Sequence, residues 1–193
     1  MSLGFYFDAT KCTGCRTCQV ACLERFDVAE MGVHPRRVTT YEFGSYPGPS
    51  IVHLSIGCNH CDSPACVEVC PTGALAKDAE TGVVMQDTTV CIGCQSCVNA
   101  CPYGAPQYVS AEGYTKKCDS CKTLRDAGMV PQCVTSCMNR ALDFGELDAL
   151  RAKYGDDLVQ QMGAMPDAGV TSPNLLIKMM SVPAGEGRVI EDL

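Results

Sequence analysis

Cysteine is the residue type that gives this chain its chemistry, and its spacing is regular. Sixteen of the 193 residues are cysteine, against five phenylalanines and no tryptophan. They fall into four groups: Cys12, Cys15, Cys18 and Cys22; Cys58, Cys61, Cys66 and Cys70; Cys91, Cys94, Cys97 and Cys101; and Cys118, Cys121, Cys133 and Cys137. Each group opens with two cysteines three positions apart and closes with two cysteines four positions apart. This repeat supplies four thiolates per group, which is a complete ligand set for a metal centre.

The kind of metal follows from how closely the thiols are crowded. Structural zinc is the simplest alternative, because two CxxC pairs can close one tetrahedral site. Zinc sites usually separate their pairs by a longer loop, whereas residues 91–101 read CIGCQSCVNAC with Pro102 behind them. This run is the bacterial ferredoxin pattern, in which three cysteines hold one 4Fe–4S cluster and the fourth binds the neighbouring cluster. The sequence therefore predicts iron–sulfur centres, four of them from sixteen thiolates.

The fourth cysteine of a group can reach a second centre for a geometric reason. Residues 98–101 can form a helical turn that carries Cys101 away from the loop. Pro102 lacks an amide proton and tends to end a helix there, and Pro71 follows Cys70 in the same way. Both prolines are equally compatible with a purely helix-terminating role.

The segments between the groups indicate how the groups pair. Short strand-like stretches surround turns at residues 80–82 and 112–113, after the second and the third group. These two groups therefore resemble a complete two-cluster ferredoxin unit, which leaves the first and fourth groups to pair. We expect an α+β fold of two ferredoxin-like modules, one inserted in the other. The expected boundaries are 1–50 and 112–150 for the outer module, 51–111 for the inserted module and 151–193 for a C-terminal extension.

This pairing predicts four mixed ligand sets. In each set three cysteines come from one group and the fourth comes from its paired group. Numbered as sites 1 to 4, the sets are Cys12, Cys15, Cys18 and Cys137; Cys118, Cys121, Cys133 and Cys22; Cys58, Cys61, Cys66 and Cys101; and Cys91, Cys94, Cys97 and Cys70. Metal binding must supply much of the folding energy of such small modules.

The segments without cysteine predict supporting elements. Residues 36–43 and 50–57 are typical of strands, and residues 145–162 predict an amphipathic helix. The tail beyond this helix has little pattern of its own. It either covers the ferredoxin core or docks on a partner.

Composition excludes several classes of protein. A net charge of −7 argues against a nucleic-acid partner. No run of about 18 apolar residues predicts a membrane span, and we expect no secretory signal in MSLGFYFDATKC. A disulfide framework is therefore disfavoured, because thiols made in the cytosol stay reduced. No nucleophile–base pair or phosphate-binding loop is evident, so we expect no catalytic residues.

A few other side chains lie near the cysteines. The four sites are complete without the three histidines, His34, His53 and His60. We therefore expect ordinary hydrogen-bonding roles for them, with His60, between Cys58 and Cys61, best placed to tune the properties of a cluster. Four cations also neighbour the groups: Lys11, Arg16, Lys116 and Lys117. Such a cation would raise the reduction potential of a nearby cluster, or would simply keep the protein soluble.

The motifs together resemble a known family. CTGCRTCQVAC, SIGCNHCDSPACVEVCPTGAL, VCIGCQSCVNACPYGAPQY and RALDFGELDALRAKYG are similar to the iron–sulfur subunit of dimethyl sulfoxide reductase-type molybdoenzymes. The resemblance implies a non-catalytic electron-transfer subunit with four 4Fe–4S clusters. Its partners would be a molybdopterin (bis-MGD-type) catalytic subunit, facing the first cysteine group, and a quinol-oxidising membrane anchor or another donor. The protein would stay cytoplasmic or be exported folded with a signal-bearing partner.

Two details qualify the resemblance. Met138 follows Cys137 where many relatives have proline, and Leu23 follows Cys22. Some relatives replace a cysteine of the third group by tryptophan and hold a 3Fe–4S cluster, whereas Cys94 is present here, which favours four 4Fe–4S clusters.

Two alternative functions remain open at this point. The protein could be a standalone soluble polyferredoxin or a zinc-bound interaction module.

Overall fold

Short strands and helices alternate along the whole chain. The computed structural model describes residues 2–163, 165–183, 185 and 187–192. The strands are β1 (Leu3–Asp8), β2 (Arg37–Phe43), β3 (Ser50–Ile56), β4 (Leu75–Lys77), β5 (Val84–Gln86), β6 (Gln107–Val109), β7 (Tyr114–Lys116), β8 (Leu142–Glu146), β9 (Leu175–Lys178) and β10 (Arg188–Asp192). The helices are α1 (Thr17–Phe26), α2 (Ala65–Glu68), α3 (Ser96–Ala100), α4 (Lys122–Asp126), α5 (Gln132–Thr135) and α6 (Leu147–Tyr154), and Ala168–Val170 form a 3-10 turn. The predicted α+β class is confirmed.

One three-stranded sheet joins the two ends of the cysteine-bearing region. Its strand order is β8-β1-β9. β1 runs antiparallel to β8, with Phe5 opposite Phe144, and parallel to β9, with Phe5 opposite Leu175. Because β1 leads into the first cysteine group and β8 leads out of the fourth, this pairing brings those two groups side by side.

A second three-stranded sheet contains the two strands that lie between the first and second cysteine groups in the sequence. Its order is β10-β2-β3, and β2 and β3 are antiparallel from Arg37 opposite Ile56 to Phe43 opposite Ser50. These are the two strands that the sequence predicts around the Gly/Pro-rich turn. Their apolar side chains face the core except for Ile51 on β3, as expected of strands rich in β-branched and aromatic residues.

Two hairpins follow the second and third groups, at the places where the sequence predicts turns. β4 pairs with β5 and β6 pairs with β7, both antiparallel. The Asp78 carboxylate accepts hydrogen bonds from the main-chain N–H groups of Glu80 (2.8 Å) and Thr81 (3.1 Å). Gly82 and Gly113 adopt φ values of 71° and 75°, which close the turns in a conformation that glycine tolerates best. A two-stranded hairpin is marginal alone, so each depends on its contacts with the rest of the protein.

Cysteine sulfur forms part of the hydrophobic core. In the larger cluster of buried side chains, residues such as Phe7, Val38, Leu54 and Ile177 pack together with Cys18, Cys58, Cys118 and Cys133. A smaller cluster contains Leu75, Val84, Cys66 and Cys97. The apolar core and the cysteine sites are therefore one region of the molecule.

The tail contributes to this core, which resolves the choice that its weak sequence pattern leaves open. Leu175, Leu176 and Ile177 of β9 are fully buried against β1 and α6. The Asn174 side chain donates a hydrogen bond to the carbonyl oxygen of His60 at 2.7 Å. This part of the tail covers the ferredoxin core.

The predicted helix over residues 145–162 is wrong in its extent. The helix α6 ends at Tyr154, whose ring stacks on Tyr6 with centroids 3.6 Å apart. Gly155 then adopts a φ of 96°, and Val159 leaves the helical path to form a β-bridge with Ile177. Among the described residues, no helix combines the length and apolar character needed to cross a membrane.

Replacing Leu176 by alanine tests the contribution of the tail. Leu176 is 0% exposed, so the substitution should leave a cavity and lower the free energy of unfolding by about 2–5 kcal/mol. Val170→Ala, at a side chain that is 64% exposed, is the matched control and should change little. Urea unfolding of anaerobically purified protein, followed by circular dichroism and cluster absorption, measures both. Equal midpoints for the two variants would contradict a packing role for β9.

Candidate iron–sulfur centres

Site 1 is a cavity at the junction of the first and fourth cysteine groups. The loop after β1 carries Cys12 and Cys15, α1 carries Cys18, and the turn before β8 carries Cys137; all four line the cavity. β1, β2, β3 and β8 each contribute one residue to the rest of the wall: Phe7, Val38, Ser55 and Leu142. The structure thus brings Cys137 to three cysteines that are more than a hundred positions away in the sequence.

Site 4 repeats this arrangement with the third and second groups. Its cavity is lined by Cys91, Cys94 and Cys97, and by Cys70 from the second group. Cys97 lies on α3, and the packing of α2 against α3 brings Cys70 within reach. Here too the structure brings three cysteines of one group to the last cysteine of another.

Glycine between the first two cysteines shapes the loops of sites 1 and 4. Gly14 has a φ of 68°, and a Cβ atom there would lie 2.6 Å from the ring of His53. Gly93 has a φ of 65°, and its Cβ would collide with the carbonyl oxygen of Gly113. Only glycine fits these close approaches, which is the physical reason for the CxGC spelling of both loops.

The thiols predicted for site 2 lie close together in the interior. Cys22 on α1 is near Cys121 and Cys133, because α1 packs against α5, which carries Cys133. Cys118 is in turn near Cys22 and Cys133. All four of these side chains are buried.

The thiols predicted for site 3 are also neighbours. Cys66 on α2 lies near Cys58, Cys61 and Cys101. Burial raises the pKa of Cys66 to about 12 and that of Cys61 to about 11. At neutral pH such thiols keep their protons unless a bound metal replaces them.

Burial also raises the pKa of thiols at sites 1 and 2. Burial raises the pKa of Cys12 at site 1 to about 11 and that of Cys22 at site 2 to about 12. Four cysteines line each of the cavities of sites 1 and 4, and the thiols predicted for sites 2 and 3 are electrostatic neighbours. This donor set fits 4Fe–4S clusters, which are held by four cysteine thiolates.

Hydrogen bonds to cysteine sulfur recur at equivalent positions of the groups. The main-chain N–H of Ala105 lies 3.5 Å from Cys101 Sγ, and that of Ala141 lies 3.2 Å from Cys137 Sγ, in each case four residues further on. A hydroxyl two residues further on contacts Sγ at three cysteines: Cys15 with Thr17, Cys70 with Thr72, and Cys94 with Ser96. Hydrogen bonds to ligand sulfur are one of the means by which a protein sets cluster potentials.

Contacts between their cysteines order the predicted sites as 1, 2, 3, 4. Cys133 of site 2 interacts electrostatically with Cys18 of site 1, and Cys118 of site 2 does so with Cys58 of site 3. Sites 3 and 4 meet where α2 packs on α3. The two sites at the ends of this series carry the two exposed cysteines, Cys15 and Cys94, whereas the other cysteines are buried or half-buried.

Comparison with known proteins decides the family. A 4Fe-4S dicluster domain matches residues 50–147, and a 4Fe-4S binding domain matches residues 9–25. The iron–sulfur subunit of anaerobic dimethyl sulfoxide reductase from Escherichia coli (strain K12) is 45% identical over 183 residues, covering 91% of this sequence and 87% of that relative. This protein belongs to the family of dimethyl sulfoxide reductase iron–sulfur subunits. The corresponding component of sulfite dehydrogenase from Allochromatium vinosum is 33% identical over 192 residues, covering 85% and 80% of the two sequences.

Membership in this family establishes the role of the protein. It is an iron–sulfur subunit that transfers electrons through 4Fe–4S clusters and does not catalyse a reaction by itself. Sixteen cysteines fit four such clusters. The assignment of individual cysteines to clusters and the module boundaries remain predictions.

Two of the histidines of this iron–sulfur subunit, His53 and His60, make hydrogen bonds through their rings. His53 Nδ1 lies 3.1 Å from the Thr40 hydroxyl, and His60 Nδ1 accepts a hydrogen bond from the main-chain N–H of Val84 at 3.2 Å. His34 donates its main-chain N–H to the Gln107 side chain. Burial, followed by the charge of nearby cations, holds the pKa of His60 well below its ordinary value, so its ring is neutral.

The four predicted cations differ in position. Lys11 is half-exposed and forms an ion pair with Asp8 (3.5 Å), whereas Lys116 pairs with Glu112 at the hairpin β6–β7. Arg16 lines the cavity of site 1. Lys117 is buried and donates a hydrogen bond to the carbonyl oxygen of Cys118 at 2.9 Å.

Sequence reasoning misses one buried cation of this iron–sulfur subunit, Arg36. Its side chain is completely enclosed, and its pKa reflects two opposed effects. Burial acts to lower the pKa, but the neighbouring cysteine sulfurs, foremost Cys133 and Cys118, raise it overall. Nothing in the local sequence HPRRVTTYEF separates Arg36 from its neighbour Arg37, which is only half-buried. Only the tertiary structure identifies it.

The metal content of the isolated protein tests the number of clusters. Anaerobically purified protein should contain about sixteen iron and sixteen acid-labile sulfide per molecule, four of each for every set of four cysteines. Metal analysis and sulfide determination measure this directly. Reproducible values near eight, or stoichiometric zinc, would contradict four 4Fe–4S clusters.

Proposed function

We propose that this protein conducts electrons through the interior of a molybdopterin-dependent oxidoreductase, between a bis-MGD-type catalytic subunit and a quinol-oxidising membrane anchor or another donor. The observation that carries this proposal is the continuous series of four cysteine sites, which ends in an exposed cysteine at each terminus. A series of sites whose middle members are buried and whose two end members are exposed suits electron transfer between two partners.

The sixteen cysteines would hold the clusters in crossed sets. The proposed sets are Cys12, Cys15, Cys18 and Cys137 at site 1; Cys118, Cys121, Cys133 and Cys22 at site 2; Cys58, Cys61, Cys66 and Cys101 at site 3; and Cys91, Cys94, Cys97 and Cys70 at site 4. The cavity linings of sites 1 and 4 support two of these sets. The mutual proximity of the buried thiols supports the other two.

The protein contributes position and environment to this function. When bound, a 4Fe–4S cluster supplies the ability to take up and give back one electron. The polypeptide fixes the sites in order, because each crossed cysteine ties two segments together. Its apolar side chains exclude water from the middle sites, and its main-chain amide groups donate hydrogen bonds to sulfur.

Partner surfaces are suggested by apolar side chains at both ends of the series. Met138, beside Cys137 of site 1, is 71% exposed, and Val20 on α1 is also exposed. Ile92, beside Cys91 of site 4, is 66% exposed. Exposed apolar residues around a functional site favour stable partners over a standalone soluble carrier.

The names of the relatives indicate what kind of partner to expect. They denote components of dimethyl sulfoxide reductase and of sulfite dehydrogenase, each one part of a larger oxidoreductase. Because it belongs to the same family, this protein would transfer electrons to or from the catalytic subunit of such an oxidoreductase. We orient it with site 1 toward the molybdopterin subunit and site 4 toward the electron donor. It would stay in the cytoplasm or be exported folded together with that partner.

Paired substitutions test the crossed ligand sets. Cys137→Ser should change the same electron paramagnetic resonance (EPR) signal as Cys12→Ser, since both would alter site 1. Cys22→Ser should instead change the signal that Cys133→Ser changes, because both belong to site 2. Iron content is measured first, since loss of a ligand can unfold a module. If Cys22→Ser and Cys12→Ser altered one and the same signal, each group would close on its own cluster and the crossing would be wrong.

A charged side chain beside site 1 or beside site 4 tests the proposed orientation of the protein between its two partners. Met138→Glu should reduce co-purification of the molybdopterin subunit at least tenfold while leaving attachment to the donor intact, because a charge at the centre of an apolar contact is poorly tolerated. Ile92→Glu should do the reverse. Each variant is the control for the other, since both replace an exposed apolar side chain next to a cysteine ligand. The opposite pattern would reverse the orientation, and retention of both partners by both variants would place these two side chains outside the contacts. A wild-type protein that retains neither partner would favour a standalone polyferredoxin.

A further inference from the structure

Arg36 lies at the junction of sites 1 and 2. It is 2% exposed, although arginine is almost never buried to this degree without a charged partner. It is an electrostatic neighbour of all four cysteines assigned to site 2: Cys22, Cys118, Cys121 and Cys133. It also interacts with Cys18 of site 1. The guanidinium group is therefore surrounded by sulfur from two neighbouring sites.

The polar contacts of Arg36 hold it in place without neutralising it. Its Nη1 donates hydrogen bonds to the carbonyl oxygen of Ser55 (3.2 Å) and to the Ser55 hydroxyl (3.1 Å). The guanidinium carbon lies 4.5 Å from the centre of the Phe5 ring, a cation–π contact. A Cβ atom at Gly57 would lie 3.6 Å from Nη2, so the slot has little spare room on that side. None of these partners carries a negative charge.

The counter-charge of Arg36 must therefore come from the sulfur ligands. A buried cation without a counter-ion costs several kcal/mol, and in the described part of the sequence Arg36 forms no ion pair with a carboxylate. Its Nε is buried and has no hydrogen-bond partner among those same described residues. The nearest groups able to carry negative charge are the cysteine thiolates, which become anionic when they bind metal.

Ser55 extends the influence of Arg36 to site 1. The Ser55 hydroxyl that accepts from Arg36 also lies 3.2 Å from Cys18 Sγ. The series Arg36–Ser55–Cys18 thus links the cation to a ligand of the neighbouring site. Because Arg36 interacts with all four sulfurs of site 2, its electrostatic effect should be largest there.

We propose that Arg36 is a positioning residue that acts as the shared internal counter-ion of sites 1 and 2 and raises the reduction potential of the cluster at site 2, and to a smaller degree of that at site 1. Each electron that enters a cluster adds one negative charge near the fixed positive charge of Arg36, which favours the reduced state. This deepens the proposed function and rests on it, because it requires clusters at both sites. Arginine keeps its charge at every physiological pH, so the effect is independent of pH in that range.

Substitution of Arg36 in the assembled complex tests this inference. Arg36→Gln and Arg36→Leu remove the charge, and Arg36→Lys keeps it without the planar fork. Arg188→Gln is the matched control, because Arg188 is an exposed arginine paired with Glu42 on the outside of β2. Iron content is measured first, and EPR-monitored redox titration then gives the midpoint potential of each cluster. Signals lost in Cys133→Ser and Cys15→Ser identify sites 2 and 1.

The expected result is selective. In Arg36→Gln and Arg36→Leu, the equilibrium constant for one-electron reduction at site 2 should fall at least tenfold, which is a potential lower by about 59 mV. Site 1 should shift less in the same direction, and sites 3 and 4 should not move. Arg36→Lys should restore most of the potential at site 2, and Arg188→Gln should match the wild type. If the neutral variants lose the iron of site 2 while Arg36→Lys retains it, the charge is required to hold that cluster, which also supports the proposal.

Other outcomes would overturn it. Fully loaded neutral variants with an unchanged or raised potential at site 2 would remove the electrostatic role of Arg36. An equal shift at all four sites would indicate a global structural effect, and loss of site 2 iron in Arg36→Lys as well would show that shape rather than charge matters. A wild-type complex that lacks the four clusters would refute the proposed function itself, and is recognised by its iron content before any variant is compared.

Discussion

The bond between cysteine sulfur and iron is the interaction on which the rest of this fold depends. The described strands form only two three-stranded sheets and two hairpins, and most of the helices have five residues or fewer. Elements of this size cannot bury enough apolar surface to offset the entropy lost on ordering the polypeptide. The sulfur atoms of eight buried cysteines take the place that aromatic and aliphatic side chains occupy in other cores. Ligation therefore supplies folding energy and function at the same time.

The pairing of distant segments is the structural consequence. β1 lies between β8 and β9, so the N-terminal strand, the strand after the fourth cysteine group and the tail meet in one sheet. This arrangement lets Cys137 line a cavity with Cys12, Cys15 and Cys18. At the other end of the series, the contact of α2 with α3 brings Cys70 to the third group in the same way. In the proposed crossed sets, no cluster could move without moving two parts of the sequence, which would hold the redox sites in a fixed order.

Concentrating negative charge inside the protein requires internal compensation. Arg36 and Lys117 are both buried next to cysteines, although arginine and lysine normally lie at the surface. His60, also buried, is kept neutral and contributes hydrogen bonds instead of charge. The net charge of the protein is −7, yet two of its cations lie in the interior. The electrostatic balance around the middle sites thus differs from that at the two exposed ends of the series.

Short-range patterns in the sequence are enough to predict the chemistry of this protein and most of its local elements. Cysteine spacing identifies the iron–sulfur family, and turn residues such as Asp78 and Gly82 fix the hairpins within a few positions. Gly155 is a local signal for the end of α6 at Tyr154, but the bridge of Val159 with Ile177 is visible only in the tertiary structure. The tertiary structure also decided that the tail adds β9 to the core and that Arg36, rather than Arg37, is enclosed by sulfur. These features depend on contacts between residues more than a dozen positions apart, and no local pattern in the sequence records such contacts.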